Sequence, residues 1–287
     1  MRVGFLGPEG TYTHQALCDA PAPPGFTAVP QATIYGTIMA VHDGGVELAL
    51  VPIENALEGS VDVTLDTLAS DAAAVTIIGE TVQRIRNCLI SATPVGVGEI
   101  ATVFSHPQAT AQCARFLRTE LAGATIVAAS STAEAVRAVA AAGDPTQAAL
   151  GNRLAAELYG ATVLREDVDD EPDNVTRFVW LARSERADEL RALVAQGEER
   201  PDTKTSIVFW GGGDEAPGWL VSCLAELSER DISLTRIESR PRRVGLGHYM
   251  FFADLEAAAA DPALGAAIEG LRGRCQEVRL LGSYRAA

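Results

Sequence analysis

The sequence predicts an α/β fold in two units, a longer α/β region followed by a compact βαββαβ unit. Short apolar runs alternate with amphipathic helical stretches through positions 1–182. A charged segment containing Gly197 and Pro201 interrupts the alternation at 184–203 and is taken as a linker. From Lys204 the order becomes strand, helix, strand, strand, helix, strand, the split ferredoxin-like arrangement.

Val3–Leu6 is an apolar run that ends at Gly7-Pro8, a buried strand feeding a loop. Thr11 or Thr13 is placed to cap the helix that follows. Thr33 caps a helix over Thr33–Asp43, with Ile34, Ile38 and Val41 on one face and Gly44-Gly45 ending it. Val46–Pro52 is a second strand, and Ser60 is expected to cap a helix carrying Val61, Leu65 and Leu68. Val75–Ile78 and Asn87–Ala92 are strand candidates, as is Val103–Ser105. Pro107 suits a first helical turn, with Cys113, Leu117 and Leu121 sharing a face. Ser131 and Glu134 have capping-box spacing ahead of an alanine-rich helix stopped by Gly143. Ala148–Leu150 is a strand, Asn152–Tyr159 a helix closed by Gly160, and Val175–Ala182 a strong strand. Pairing across this region is expected to be mostly parallel. In the second unit Ser206–Trp210, Ile232–Glu238, Gly247–Leu255 and Glu277–Leu281 are strands, and Pro217–Glu229 and Pro262–Arg272 are helices. A small sheet of this kind needs a surface against its open face or edge, so a homodimer or homotetramer is expected.

Of 287 residues, 38 are acidic and 23 are Lys or Arg, a net charge of −15. Such a field repels nucleic acid and anionic membranes, and neither is expected as a partner. It also repels an anionic substrate, so any anion site needs local positive groups. No apolar run reaches the ~18 residues of a membrane span, and Met1–Gly7 is too short for a secretory signal. Five scattered cysteines and four histidines show neither a CxxC nor an HExxH pattern. The expectation is reduced thiols in a cytoplasmic protein, with no disulfide framework and no metal site. Gly96–Ala101 matches GxGxxA, but the crossover helix of a dinucleotide site does not follow it directly, and Gly211–Gly213 is followed by no Lys-Ser/Thr.

Polar residues gather where strands hand over to helices. Gly7–Thr13 offers hydroxyls and free N–H groups at a helix start, suited either to an anion or to a capped turn. Pro52–Val61 places Glu54, Asn55, Glu58 and Ser60 in one loop. Ser105, His106 and Gln108 surround a third junction. Asn174, Thr176 and Arg177 open the last strand, where alternation turns Thr176 and Phe178 one way and Arg177 the other. Arg177 there is suited to a carboxylate ligand or to an edge salt bridge. Together these loops describe a cleft for a small polar anion.

The segments GPEGTYT, PIENALEGSV, SHPQATAQC, NVTRF, PGWLVSCL and IESRP, in this order, closely resemble the prephenate dehydratase family with its C-terminal ACT regulatory domain. The resemblance implies a two-lobed catalytic domain like a type II periplasmic binding protein, at 1–183. Its first lobe spans about 1–78 and 165–183 and its second about 79–164. A linker at 184–203 and an ACT domain at 204–287 follow. It implies a carbon–oxygen lyase that converts prephenate to phenylpyruvate, without a cofactor, under feedback control by L-phenylalanine. Thr176 is then the essential residue, with Arg177 and Phe178 beside it as catalytic candidates. Thr11, Tyr12, Thr13, Glu54, Asn55, Ser60, Ser105, His106, Gln108 and Asn174 are the substrate-binding candidates. Gly218, Trp219, Leu220 and Val221, with Glu238, Ser239, Arg240 and Pro241, are the effector candidates. Ala56 and Trp219 stand where the family usually carries serine and alanine, and Ser233 where it carries asparagine. Arogenate dehydratase, or a ligand sensor without chemistry, are the alternatives.

Overall fold

The computed structural model describes residues 1–20, 22–194, 203–213 and 215–287. The first lobe runs β1 (Arg2–Leu6), α1 (Tyr12–Asp19), β2 (Thr27–Gln31), α2 (Ile34–His42), β3 (Leu48–Asn55), β4 (Gly59–Ser60), α3 (Asp62–Ser70) and β5 (Val75–Arg84). The second runs β6 (Cys88–Ser91), β7 (Thr102–Ser105), α4 (Pro107–Gln112), α5 (Ala114–Glu120), β8 (Thr125–Ala128), α6 (Thr132–Ala142), β9 (Gln147–Gly151), α7 (Arg153–Tyr159) and β10 (Thr162–Arg165). The chain then returns as β11 (Val175–Arg183) and α8 (Ala187–Val194). The last unit is β12 (Thr203–Trp210), α9 (Trp219–Ser228), β13 (Leu234–Pro241), β14 (Tyr249–Leu255), α10 (Pro262–Arg272) and β15 (Glu277–Arg285).

Three sheets result. The first has the order β2-β1-β3-β11-β5 with β4 on β3, the second β10-β6-β9-β7-β8, and the third β13-β14-β12-β15. This is a two-lobed type II binding-protein architecture joined to a ferredoxin-like, ACT-like βαββαβ unit. Pairing in the lobes is mixed rather than mostly parallel. β1 is parallel to β2 and β3, and β7 to β8 and β9. β11 is antiparallel to β3 and β5, and β6 to β9 and β10. The reason is that the chain crosses between lobes twice, and the crossing strands enter each sheet in reverse.

Helix signals act as physical chemistry demands at most ends. Thr11, Thr33 and Ser131 each accept a first-turn N–H, and Gly143 and Gly160 close their helices in the left-handed region at φ 65° and 66°. Ser60 is the exception: it lies in β4, and Val61 caps α3 without a side-chain bond. The helix expected after Pro107 is broken in two at Cys113.

One face of the third sheet is buried under α9 and α10 by Ile207, Phe209, Ala253 and Leu255. The other face, through Val208, Met250, Phe252 and Leu281, shares a core with Ile38, Leu65, Leu68 and Ile77 of the first lobe. The face of this sheet is therefore covered by the same chain, and what is left open is its edge at β13. In the 184–203 segment, α8 packs Leu190 and Val194 into the first lobe's core beside Trp180. Positions 195–202 lie outside the described residues.

Candidate active site

A cleft of about 510 Å³ opens between the lobes. The first lobe contributes Thr11, Tyr12, Thr13, Asn55, Thr176 and Phe178, with Pro52, Val61 and Ile85 as apolar wall. The second contributes His106, Gln108, Gln112, Ser130, Ser131 and Thr132. Among the described residues, none of those lining the cleft is a lysine or an arginine.

Thr176 is 8% exposed and has a defined hydrogen-bond role. Asn55 Nδ2 donates to Thr176 Oγ1 at 2.9 Å and to Asn174 Oδ1 at 2.8 Å. Asn55 Oδ1 accepts from the N–H groups of Leu57 and Glu58, both at 2.9 Å, which fixes which end of the amide faces Thr176. Because the Thr176 oxygen is already an acceptor, its own proton is left to be donated to a ligand in the cleft. Tyr12 is held from behind: its hydroxyl donates to Asn87 Oδ1 at 2.8 Å, and Asn87 Nδ2 donates to Asp169 Oδ1 at 2.6 Å. Burial, with the Asp169 charge second, pushes the Tyr12 pKa well above its usual value, so it stays a neutral donor. Thr11 donates to Leu6 O at 2.8 Å, and His106 Nδ1 accepts from the N–H of Gln108 at 3.3 Å. α1, α4 and α6 all begin at the cleft wall, through Thr11, His106 and Ser131. The starts of α1 and α6 turn positive helix ends to the cleft, where no cationic side chain lines it; in α4, Pro107 has no N–H and that of Gln108 is taken by His106.

Other candidates lie elsewhere. Arg177 turns away from the cleft to three carboxylates: Glu54 at 3.0 Å, Glu80 at 3.0 Å and Asp254 at 2.6 Å. Burial disfavours its charge, but Asp254, then Tyr284 and Glu80, raise its pKa above the ordinary arginine value. It is a buried salt-bridge residue and not a ligand for a carboxylate in the cleft. Glu54 goes with it. Ser60 faces the third sheet, donating to Glu238 Oε2 at 2.8 Å and accepting from Arg236 Nη2 at 2.6 Å. Ser105 is buried beneath the cleft with its hydroxyl on His106 O, and Asn174 is buried behind Asn55.

The effector candidates separate into two groups. Gly218, Trp219, Leu220 and Val221 line a pocket of about 220 Å³ with Tyr249 and Phe251. Glu238 and Arg240 turn to the first lobe, Arg240 pairing with Asp62 and Asp66, while Ser239 and Pro241 are exposed. Gln112, Ser130, Ser131 and Thr132 escaped the sequence reading as site residues. The hydroxyl triplet Ser130–Thr132 at the start of α6 is the signal, masked because β8 ahead of it is only four residues long.

Fold and cleft together define a two-lobed α/β protein whose cleft is lined by hydroxyls, amides and helix starts, and that carries an ACT-like unit. The prephenate dehydratase profile matches residues 3–186. A prephenate dehydratase of Mycolicibacterium vanbaalenii is 38% identical over 98% of this chain and 90% of its own. The chain belongs to the prephenate dehydratase family. A solved prephenate dehydratase in complex with L-Phe from Arthrobacter aurescens has a TM-score of 0.86 and 34% identity, covering 100% of this chain and 90% of that one. A structure described as GqqA, a novel type of quorum quenching acylases, has a TM-score of 0.82 and 29% identity, covering 100% and 98%.

Proposed function

We propose that this chain converts prephenate to phenylpyruvate, water and carbon dioxide in phenylalanine biosynthesis, with Thr176 as the donor to the departing hydroxyl. The Asn55–Thr176 pair at the cleft wall carries this assignment. Prephenate holds two carboxylates and a ring hydroxyl. Loss of carbon dioxide supplies the electron pair that completes the aromatic ring as the hydroxyl leaves and takes up one proton. The reaction runs downhill, and the barrier lies in the leaving group. A hydroxyl polarised by the Asn55 amide is placed to stabilise that oxygen as its charge develops. The threonine is too weak an acid to be the final source of the proton, so water or a neighbour supplies it. The α6 start, with Ser131 and Thr132, is assigned to the side-chain carboxylate. The apolar wall at Phe178 is assigned to the carboxylate that is lost, where weak solvation favours its departure.

We further assign catalysis to 1–183 and regulation by L-phenylalanine to an ACT domain at 204–287, in the cytoplasm. The L-Phe complex of the Arthrobacter relative and the pocket at Gly218–Val221 support the effector reading. Assembly as a homodimer or homotetramer is inferred at the sheet edge β13, where Ile237 is exposed; sedimentation measures it. The elimination is preferred to acyl hydrolysis because, among the described residues, no cleft hydroxyl is bonded to a histidine ring as an activated nucleophile would be. The test is purified protein mixed with prephenate, with phenylpyruvate followed by its absorbance in alkali and arogenate run in parallel. Absence of phenylpyruvate would overturn the assignment, and faster turnover of arogenate would replace the substrate.

A further inference from the structure

We infer that Arg236 and Glu238 of the ACT-like unit are positioning residues for the Thr176 hydroxyl, acting through Ser60 and the hairpin that carries Asn55. This rests on the assignment of Thr176 above. β3 and β4 form a short hairpin in which Glu54 pairs with Ser60 and Asn55 with Gly59. Its tip holds Asn55, whose amide orients Thr176. Both shoulders of the hairpin are gripped from the third sheet. Arg236 Nη2 donates to Ser60 Oγ at 2.6 Å, and Ser60 Oγ donates to Glu238 Oε2 at 2.8 Å. On the other shoulder, Arg236 Nε lies 3.7 Å from Glu54 Oε1, while Glu54 Oε2 meets Arg177 at 3.0 Å.

The anchor on the far side is a network of buried polar contacts. Asp254 Oδ2 takes the Arg177 guanidinium at 2.6 Å, and its Oδ1 accepts from Ser206 Oγ at 2.6 Å, itself bonded to the Tyr284 hydroxyl. Glu80 is shared between Arg177 and Lys204. In this part of the seam three cations (Arg177, Lys204, Arg236) pair with Glu54, Glu80 and Asp254, and a fourth carboxylate, Glu238, is held through Ser60. Glu80, Asp254, Arg177 and Arg236 are buried and Glu54 is half-buried, and a shift of any one of the buried charges would cost it a partner. Arg177 follows Thr176 in β11, and a register irregularity in the β11–β3 pairing falls directly after it. The catalytic hydroxyl is thus set by one grip on its own strand and another on the hairpin of its hydrogen-bond donor.

The experiment is a double-mutant cycle on the full chain with prephenate turnover as the readout. Arg236→Met and Ser60→Ala should each lower kcat about tenfold with KM within about twofold, a size usual for members of one hydrogen-bond network. Ser60→Thr, which keeps the hydroxyl, should restore turnover. In a Thr176→Val background the same changes should lower the residual rate less than about twofold. Equal losses in both backgrounds, or unchanged kcat in the single variants, would overturn the inference. Should Arg236→Met not fold, Ser60→Ala decides, because it leaves Arg236 its ion pairs with Glu54 and Asp254. Normal turnover by Thr176→Val alone would instead refute the assignment of Thr176.

Discussion

Replacing Thr176 with valine removes one hydroxyl and keeps the shape of the side chain. The change leaves no donor stranded: Asn55 Nδ2 loses Thr176 Oγ1 but keeps Asn174 Oδ1 at 2.8 Å and Val175 O at 3.2 Å. The cost to folding is then that of one net hydrogen bond, about 0.5–1.5 kcal/mol. The cost to turnover is of another order. A positioned group that donates to a reacting oxygen is worth about 10²–10⁴-fold, which at about 1.36 kcal/mol per decade is roughly 2.7–5.4 kcal/mol of barrier. Thr176→Val should therefore lose at least a hundredfold in kcat, read as phenylpyruvate formed, while its urea midpoint moves little. Thr176→Ser should keep most of the activity. A valine variant within about threefold of the parent rate would refute the donor role.

Arg177→Met should cost about 3–5 kcal/mol of stability, because it takes from Glu54, Glu80 and Asp254 the guanidinium they share and leaves them with only Lys204 and Arg236; an unchanged urea midpoint would contradict a structural arginine. Burial lowers the pKa of His14, whose Nδ1 accepts the Gly10 N–H at 3.1 Å and whose ring stacks on Phe5. The unfolded chain takes up this proton below about pH 6.5 while the folded chain does not. The contribution of His14 is therefore full above that pH and falls away below it. His14→Gln should flatten the decline in thermal midpoint between pH 7 and 5, and an unaltered slope would remove His14 as its source. Calorimetry with L-phenylalanine should show binding that Trp219→Ala weakens at least tenfold; no heat at millimolar ligand would retire the effector pocket.

The path from sequence to structure was clearest where one local signal sufficed. Apolar runs gave β1, β3, β11 and the four strands of the third sheet, and Thr11, Thr33, Pro107 and Ser131 marked helix starts. β2, β4, β8 and β10 are not among the strands the sequence predicts. Pro30 interrupts the pattern of β2, β4 is two residues long, and β8 and β10 are four residues each with little burial. In the site, alternation correctly turned Arg177 away from Thr176. It gives no account of what lies on the far face, and that face proved to be Asp254, 77 positions along the chain. Ser60 failed as a cap for the same reason: its partners, Arg236 and Glu238, are brought to it only by docking of the third sheet. Single-residue chemistry is legible in one dimension; a seam between units is not.

The absence of a lysine or arginine among the described residues lining the cleft sets how the enzyme meets its substrate. With a net charge of −15, the protein repels a dianion over the full range of the unscreened field. Added salt shortens that range. Capture should therefore quicken as ionic strength rises, opposite to an enzyme that draws its ligand in with cationic side chains. Grip is left to short-range amide dipoles felt only after arrival, so the ions of the surrounding medium act as a silent accomplice in every encounter.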